Sequence, residues 1–277
     1  MMSWNIIHID ETDSTNRWIR EEAADAYSAV TAQRVGSQEA ADGLCVVADY
    51  QTAGRGQGTN RWESERGKNL LFSMLFRPAD IPANRQFHIS MAISLAICDA
   101  LGQYIGDLSI KWPNDIYWRD GKIAGILIEH RLHGTMIRDS IIGVGLNVNQ
   151  RHFCSDAPNP VSLWQICEQD TDRNQLLRDI LQNFSRLMGN TQPDGLTGNA
   201  QPDGLMGNAQ PDGLTGMEIK SRYMALLYRR RGFHPYADKQ GAFMAEIANV
   251  EPDGHLLLRD DSGHERRYAF KEVTFVM

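Results

Sequence analysis

Cysteine is scarce and scattered in this chain of 277 residues: Cys45, Cys98, Cys154 and Cys167 are its only four. No two have the C-x-x-C spacing of a zinc ligand pair or a redox couple, so neither a metal framework nor a disulfide framework is expected. Such usage fits a reducing compartment, and the expected localisation is the cytoplasm. Also missing is any window approaching the roughly 20 apolar residues that span a bilayer. Met1 to Asp10 carries no basic, then apolar, leader pattern, so neither export nor membrane partners are expected. Basic residues form no run, with 28 Lys and Arg against 35 Asp and Glu and a formal charge of -7, which disfavours a general nucleic-acid binder. The two common phosphate loops, G-x-x-x-x-G-K-[ST] and G-x-G-x-x-G, are absent as well. What remains is room for one main domain and a small appendage.

The order of elements argues for an α+β fold. Ile6 to Ile9 reads as a short strand, and Asp13-Ser14 precedes a helical pattern with Trp18, Ile19 and Ala23 on one face, so a side-chain oxygen is expected to cap its first turn. Leu44 to Ala48 and Leu70 to Phe76 are strand-like and flank a long polar, glycine-rich stretch, Gln51 to Lys68. Loops of that length inside a domain are usually functional. Ile89 to Ile105 is apolar nearly all round and reads as a buried helix. Ile116 to Trp118, the Asp120-Gly121 turn and Ile123 to Glu129 predict a hairpin, followed by a strand over Ser140 to Val148. Strands joined by tight turns imply a mixed, largely antiparallel sheet packed with helices.

Arg173 to Met188 and Glu218 to Arg230 have helical apolar spacing, and a repeat of nine residues lies between them. Gln192 to Ala200 returns as Gln201 to Ala209, with Met206 in place of Thr197, and again from Gln210 to Gly216. The copies are too few, and lack the paired glycine, for a calcium-binding β-roll, so a low-complexity insertion is expected. Ala242 to Val250, His255 to Leu258, Arg266 to Phe270 and Val273 to Val276 are short strands split by turn residues, which suits a small β-barrel.

Candidate chemistry lies in three places. In Gly54-Arg55-Gly56 the glycines let backbone N–H groups approach a ligand, while Arg55 offers a forked donor to carboxylate or phosphate. Taken alone, the tripeptide is more often a solvated turn. Lys111 lies between strand-like Leu108 to Ile110 and an extended Trp112-Pro113, and Lys122 follows a hairpin turn, where a charged surface residue is the commoner outcome. Three cations from three segments, all at strand ends, would suit a carboxylate brought against nucleotide phosphates. Trp62 is either a core anchor or a lid, and Asn147 and Asn149 are either base-reading amides or turn residues.

Together these segments resemble the catalytic domain of biotin protein ligases. The resemblance runs from about Ile6 to Asn149 through Asp13-Ser14-Thr15-Asn16, Gln51-Thr52-Ala53-Gly54-Arg55-Gly56, Lys111-Trp112-Pro113-Asn114-Asp115, Gly121 to Glu129, and Gly143 to Asn149. The C-terminal strands are similar, more loosely, to the Src-homology-3-like barrel of that family. The implied division is a catalytic domain over 1–231, carrying the insertion at 192–216, and a barrel over 232–277. The resemblance implies that Ser14, Thr15 and Gln51 hydrogen-bond biotin, with Asn16, Gly54, Gly56, Gln57 and Gly125 beside them. Arg55 and Lys122 would meet the biotin carboxylate or the phosphate, and with Lys111 they form the implied catalytic set. Trp62 would cover adenine, and Arg61, Asn114 and Asn147 would complete the ATP site. Biotin and ATP, with Mg²⁺ on unassigned ligands, would yield biotinyl-5'-AMP, and the implied partner is a biotin carboxyl carrier protein.

The loop departs from the family in being neutral from Gln57 to Asn60, leaving Arg61 as its second cation. The start of the sequence so near the first catalytic strand leads to the expectation of no DNA-binding repressor segment and no DNA partner. A monomer or homodimer is expected. A lipoate or octanoate ligase is the nearest enzymatic alternative, although its glycine triplet is absent, and a non-catalytic biotinyl-adenylate sensor is the alternative from another class.

Overall fold

In a computed structural model of the chain, which describes residues 2–23, 43–58, 60–154, 158–189 and 215–276, the apolar run Leu70–Phe76 forms strand β3, an interior strand in a sheet of seven. The repeat falls outside the described residues except for Thr215 and Gly216. β3 lies antiparallel to β2 (Gly43–Gln51) on one side and β7 (Met136–Leu146) on the other. β1 (Trp4–Thr12) extends the sheet beyond β2 as its one parallel neighbour, and β6 (Gly121–His133), β5 (Asp115–Trp118) and β4 (Leu108–Lys111) extend it antiparallel beyond β7. The expected mixed, largely antiparallel sheet is therefore present.

Both faces of the middle strands are covered, which is why they read as continuous apolar runs. Along β2, Cys45 and Val47 join the main core, whereas Leu44 and Val46 join a smaller cluster with Ile19, Leu75 and Ile141. The main core is closed by the helix Phe87–Leu101, of which twelve residues are buried. It ends at Gly102, short of the expected Ile105, where the Gly102 N–H donates to the Cys98 carbonyl. A second helix, Arg173–Met188, packs on it through Leu176, Leu177, Ile180, Leu181 and Phe184, one stripe at helical spacing. Phe184 meets Phe76 edge-on at 5.2 Å, and truncating it to alanine would cost about 3 to 5 kcal/mol. Asp172 starts this helix by accepting the N–H groups of Asn174 and Gln175.

The next helix runs over Gly216–Ala225, so it begins earlier and ends earlier than its apolar spacing predicts. Thr215 and Glu218 form a reciprocal capping box, and the bonds from Thr215 hold the Glu218 carboxyl below its ordinary range. The chain leaves the helix because Ile110 claims it: the Ile110 N–H donates to the Leu226 carbonyl at 2.8 Å and the Ile110 carbonyl accepts from the Tyr228 N–H at 2.9 Å. Tertiary pairing with the end of the sheet wins over local helical spacing.

A second sheet, antiparallel throughout, has the order β11-β10-β9-β8-β12, formed by β8 (His234–Asp238), β9 (Gly241–Val250), β10 (Leu256–Asp260), β11 (Glu265–Tyr268) and β12 (Thr274–Phe275). β8 was not foreseen, since its His-Pro start masks a strand pattern. Tyr236, Ile247, Leu256 and Phe275 continue the main core without a break. The β9–β10 turn bolts the two sheets together, because the Trp112 Nε1–H donates to the Gly254 carbonyl at 2.9 Å and Phe87 lies against Gly254. Gly254 has φ 98°, and a β-carbon there would stand 2.7 Å from the Phe87 ring, so the joint needs glycine twice over.

Candidate active site

A cavity of about 450 Å³ opens where the ends of β2, β4 and β5, the first half of β6, the last residues of β7 and the β11–β12 turn converge. Its size is in the range of small-molecule and cofactor sites. Of the residues singled out in the sequence, Ser14, Thr15, Asn16, Gln51, Arg55, Gly56, Gln57, Arg61, Trp62, Lys111, Asn114, Lys122 and Gly125 line it. Gly54 and Asn147 do not. Gly54 instead anchors the glycine-rich hairpin, accepting the Trp62 N–H at 3.0 Å, with the Trp62 carbonyl 2.8 Å from where a β-carbon would stand. Asn147 is buried and its Nδ2 donates to the Val161 carbonyl at 3.1 Å, so its amide ties the 158–163 segment to the sheet.

One end of the cavity is polar and uncharged. The expected side-chain cap at the first helix is missing: Ser14 makes no cap bond, and its N–H donates to Asp13 Oδ1 at 2.6 Å. That arrangement leaves the Ser14 hydroxyl on the cavity wall. Thr15 and Asn16 follow on the turn Thr15–Trp18, which continues as a π-helical turn over Ile19–Ala23. The Thr15 N–H donates to Gln51 Oε1 at 2.8 Å, coupling this turn to the end of β2. Behind them the hydroxyl of Ser73, fully buried on β3, lies 2.7 Å from Thr15 Oγ1 and 2.6 Å from Asn16 Oδ1. Asn16 Nδ2 donates to Glu129 Oε2 at 3.0 Å, and Arg20 pairs with the same carboxylate oxygen at 2.5 Å.

The middle is a slot for a flat group. Gly125 of β6 and Gly145 of β7 are direct cross-strand partners, and the Trp62 indole lies against both. A β-carbon on Gly145 would stand 2.7 Å from Trp62 Nε1, and one on Gly125 would stand 3.0 Å from Cζ3. The hairpin carrying Trp62 is closed by a bridge between Arg55 and Arg61 and by the Gly56 N–H donating to the Asn60 carbonyl at 2.8 Å. Both arginines are exposed at the cavity mouth.

The other end is cationic. Lys122 Nζ pairs with Asp115 Oδ1 at 2.7 Å and lies 5.7 Å from the centre of the Trp62 ring. Lys111 Nζ donates to the Tyr117 hydroxyl at 3.0 Å and sits 5.5 Å from the Phe275 ring. Burial is the main influence on Lys111 and lowers its pKa from the ordinary lysine value, with Asp115 opposing the shift. Asn114 spends its amide on the sheet, with Nδ2 donating to the Ile126 carbonyl. An anion entering here meets Lys111, Lys122, Arg55 and Arg61, against the one carboxylate of the lining, Asp115.

Several lining residues were not singled out by sequence reasoning. Ser73, which stands behind the lining rather than in it, has a signal in retrospect, as the one polar residue within the apolar run Leu70–Phe76. Asp115 and Gly145 sat in quoted motifs without an assigned role. Phe270, Lys271, Val273, Thr274 and Phe275 line the cavity from the second sheet, with Lys271 reaching over Gly58 of the glycine-rich hairpin. No local pattern marks these five, because only the docking of the two sheets brings them here. Among the described residues, the one cluster of three ligating groups is Glu251, Asp253 and His255, away from the cavity, where Arg267 already spans both carboxylates.

Comparison with known proteins agrees with this geometry. A family model of the biotin/lipoate A/B protein ligases matches residues 12–147. The bifunctional ligase/repressor BirA of Bacillus subtilis is 29% identical over 245 residues, covering 86% of this chain and 68% of that protein. The biotin–[acetyl-CoA-carboxylase] ligase of Mycobacterium tuberculosis is 33% identical over 145 residues, about half of each chain (51% and 52%). The solved structure of a biotin protein ligase from Aquifex aeolicus, in complex with biotin and ATP, shares the fold with a TM-score of 0.66 at 22% identity, covering 98% of this chain and 97% of that one. By the matched segment, its relatives and the shared fold, this chain belongs to the biotin/lipoate A/B protein ligase family.

Proposed function

We propose that the protein is an ATP-dependent biotin protein ligase that makes biotinyl-5'-AMP and passes the biotinyl group to a lysine of a biotin carboxyl carrier protein. The observation that carries this reading is the order of chemistry along one cavity: hydroxyl and amide groups, then an apolar slot, then cations. Biotin has the same order, with a ureido ring, an aliphatic tail and a carboxylate. Ser14, Thr15 and Gln51 face the ureido group. Trp62, laid over Gly125 and Gly145, covers the tail and the start of the nucleotide.

In the first half-reaction a biotin carboxylate oxygen bonds to the α-phosphorus of ATP, the bond from that phosphorus to the bridging oxygen breaks, and pyrophosphate leaves. The reactants are both anionic, so bringing them together is the main difficulty. Lys122, oriented by Asp115, and Lys111 meet the charge developing around the α-phosphate, while Arg55 and Arg61 at the mouth hold carboxylate and polyphosphate oxygens. Orientation in the slot supplies the rest, by turning a bimolecular encounter into a positioned one. In the second half-reaction the neutral amine of the carrier lysine attacks the carbonyl carbon, AMP leaves with the bonding pair, and the nitrogen loses its proton. Among the described residues the cavity lining offers a single carboxylate, already paired with Lys122, and so no protein-built cage for Mg²⁺; the ion would fit here only as a companion of the phosphates.

The second sheet supports a division into a catalytic part over 1–231 and a small β-domain over 232–277 whose β11–β12 turn roofs the site. No described helix is long and apolar enough to cross a membrane. Purified protein should catalyse biotin-dependent exchange of pyrophosphate into ATP and then label a carrier domain. Exchange that proceeds with lipoate or octanoate and not with biotin would move the protein to the other branch of the family.

A further inference from the structure

Resting on the reading of the cavity as a biotin site, we propose that Ser73 and Asn16 are positioning residues that fix which cavity groups donate and which accept at the ureido end. The argument is a count of protons along a buried chain. Asn16 Nδ2 faces the Leu127 carbonyl at 3.3 Å and the Glu129 carboxylate at 3.0 Å, both acceptors only, so its amide has one orientation and Oδ1 points at Ser73. Glu129 is held in turn by Arg20. Asn16 Oδ1 can only accept, so the single Ser73 hydroxyl proton goes to it across 2.6 Å. The 2.7 Å separation between Ser73 Oγ and Thr15 Oγ1 then needs a second proton, which only the Thr15 hydroxyl can supply; Gln51 Oε1, 3.2 Å from Thr15 Oγ1, is the longer and weaker competitor for it and already takes the Thr15 N–H.

With its proton turned back toward Ser73, Thr15 Oγ1 presents lone pairs to the cavity and acts as an acceptor there. Gln51 is fixed by the same logic, because its Oε1 takes the Thr15 N–H at 2.8 Å and its Nε2 is left as the donating side. The wall thus offers an acceptor at Thr15 beside a donor at Gln51, which matches an N–H beside a carbonyl in a cyclic urea and mismatches the reverse. Ser73, Thr15 and Asn16 are all buried, so solvent does not scramble the chain. Gly143 makes room for it: a β-carbon there would stand 2.8 Å from Asn16 Cγ.

The test measures Michaelis constants in pyrophosphate exchange for Ser73→Ala, Thr15→Val and the double variant. Freed of Ser73, the Thr15 hydroxyl can turn its proton toward the cavity or Gln51. The Michaelis constant for biotin should rise about tenfold in Ser73→Ala, the effect of losing one buried hydrogen-bond partner. The constant for ATP and the turnover should stay within about twofold, because neither the phosphates nor the reacting atoms touch Ser73. Adding Ser73→Ala to Thr15→Val should change little, since the hydroxyl it orients is already gone. Additive losses, an unchanged biotin constant, or equal rises for biotin and ATP would overturn the proposal. If Ser73→Ala does not fold, Ser73→Cys keeps a weaker donor of similar size and should show a smaller rise confined to biotin; without that rise the proposal fails. Absence of biotin-dependent exchange in the unmodified protein would overturn the functional reading itself, a distinct result from an active enzyme indifferent to Ser73.

Discussion

Gly145→Ala isolates the role of the Trp62 slot. Gly145 lies in a regular strand, paired with Gly125, and has no positive φ, so its backbone accepts alanine without strain. The added carbon would meet Trp62 at 2.7 Å from Nε1 and 2.8 Å from Cδ2. Comfortable carbon contacts are about 3.5 to 4 Å, so the indole must retreat by about 1 Å. Trp62 sits on an exposed hairpin rather than in the main core, so it can retreat, and the stability loss should stay near 1 kcal/mol, at the low end for overpacking. For a chain of this size that corresponds to about 2 to 4 °C in Tm. Activity should suffer far more, because a displacement of about 1 Å in a positioning wall can cost about a hundredfold in rate. Gly125→Ala is the graded control: its nearest Trp62 atom would be 3.0 Å away and its other neighbours are the flexible end of Lys122, so its loss should be smaller. Pyrophosphate exchange and thermal unfolding read the two effects separately. Gly145→Ala with exchange within twofold of the unmodified protein would refute the slot, as would a loss of activity no larger than expected from unfolding.

Lys122→Ala should lower turnover more than it raises the biotin constant, because charge that develops at the α-phosphate is what Lys122 meets best; a rise in the Michaelis constant alone would assign it to ground-state binding. Burial holds the Lys111 ammonium below its ordinary pKa, so folding favours its neutral form; the resulting stability penalty is full at pH below the lowered folded value and fades as pH rises from there toward the unfolded value of 10.5. Lys111→Met should therefore raise Tm at neutral pH while lowering exchange activity, and a lower Tm with full activity would contradict both halves. Thr215→Ala removes one arm of a capping box and should cost about 1 kcal/mol of stability with exchange unchanged, whereas shortening the segment between Gly189 and Thr215 should alter stability only slowly, by about 0.6 kcal/mol per twofold change in length. Loss of activity in a folded, shortened protein would show that the repeat serves the site.

By itself the sequence determined the composition of the site and the kind of sheet that carries it. Local rules suffice for both: tight turns between short apolar runs demand antiparallel neighbours, and Leu70 to Phe76 is apolar at every position but Ser73 because both of its faces are covered. Lys111, Lys122 and the glycine-rich hairpin were legible because strand ends and glycines have local signatures. Helix ends were less so. The spacing over Glu218 to Arg230 is helical, yet the helix stops at Ala225, since the edge of the sheet offers residues 226–228 hydrogen bonds that a local reading cannot foresee.

Only the tertiary structure decided which groups face one another across distance. Ser73 becomes part of a hydrogen-bonded chain because β3 runs beneath the turn at Thr15, and Asn147, a residue that could equally have read a base, is drawn into holding the 158–163 segment. Asp115 becomes the partner of Lys122 through pairing between β5 and β6. The roof from Phe270 to Phe275 has no sequence signal at all, because its place depends on Trp112 and Phe87 engaging the β9–β10 turn far from those residues in the chain. Periodicity and turn chemistry are properties of neighbours along the backbone; a cavity is made by non-neighbours, and only packing selects them.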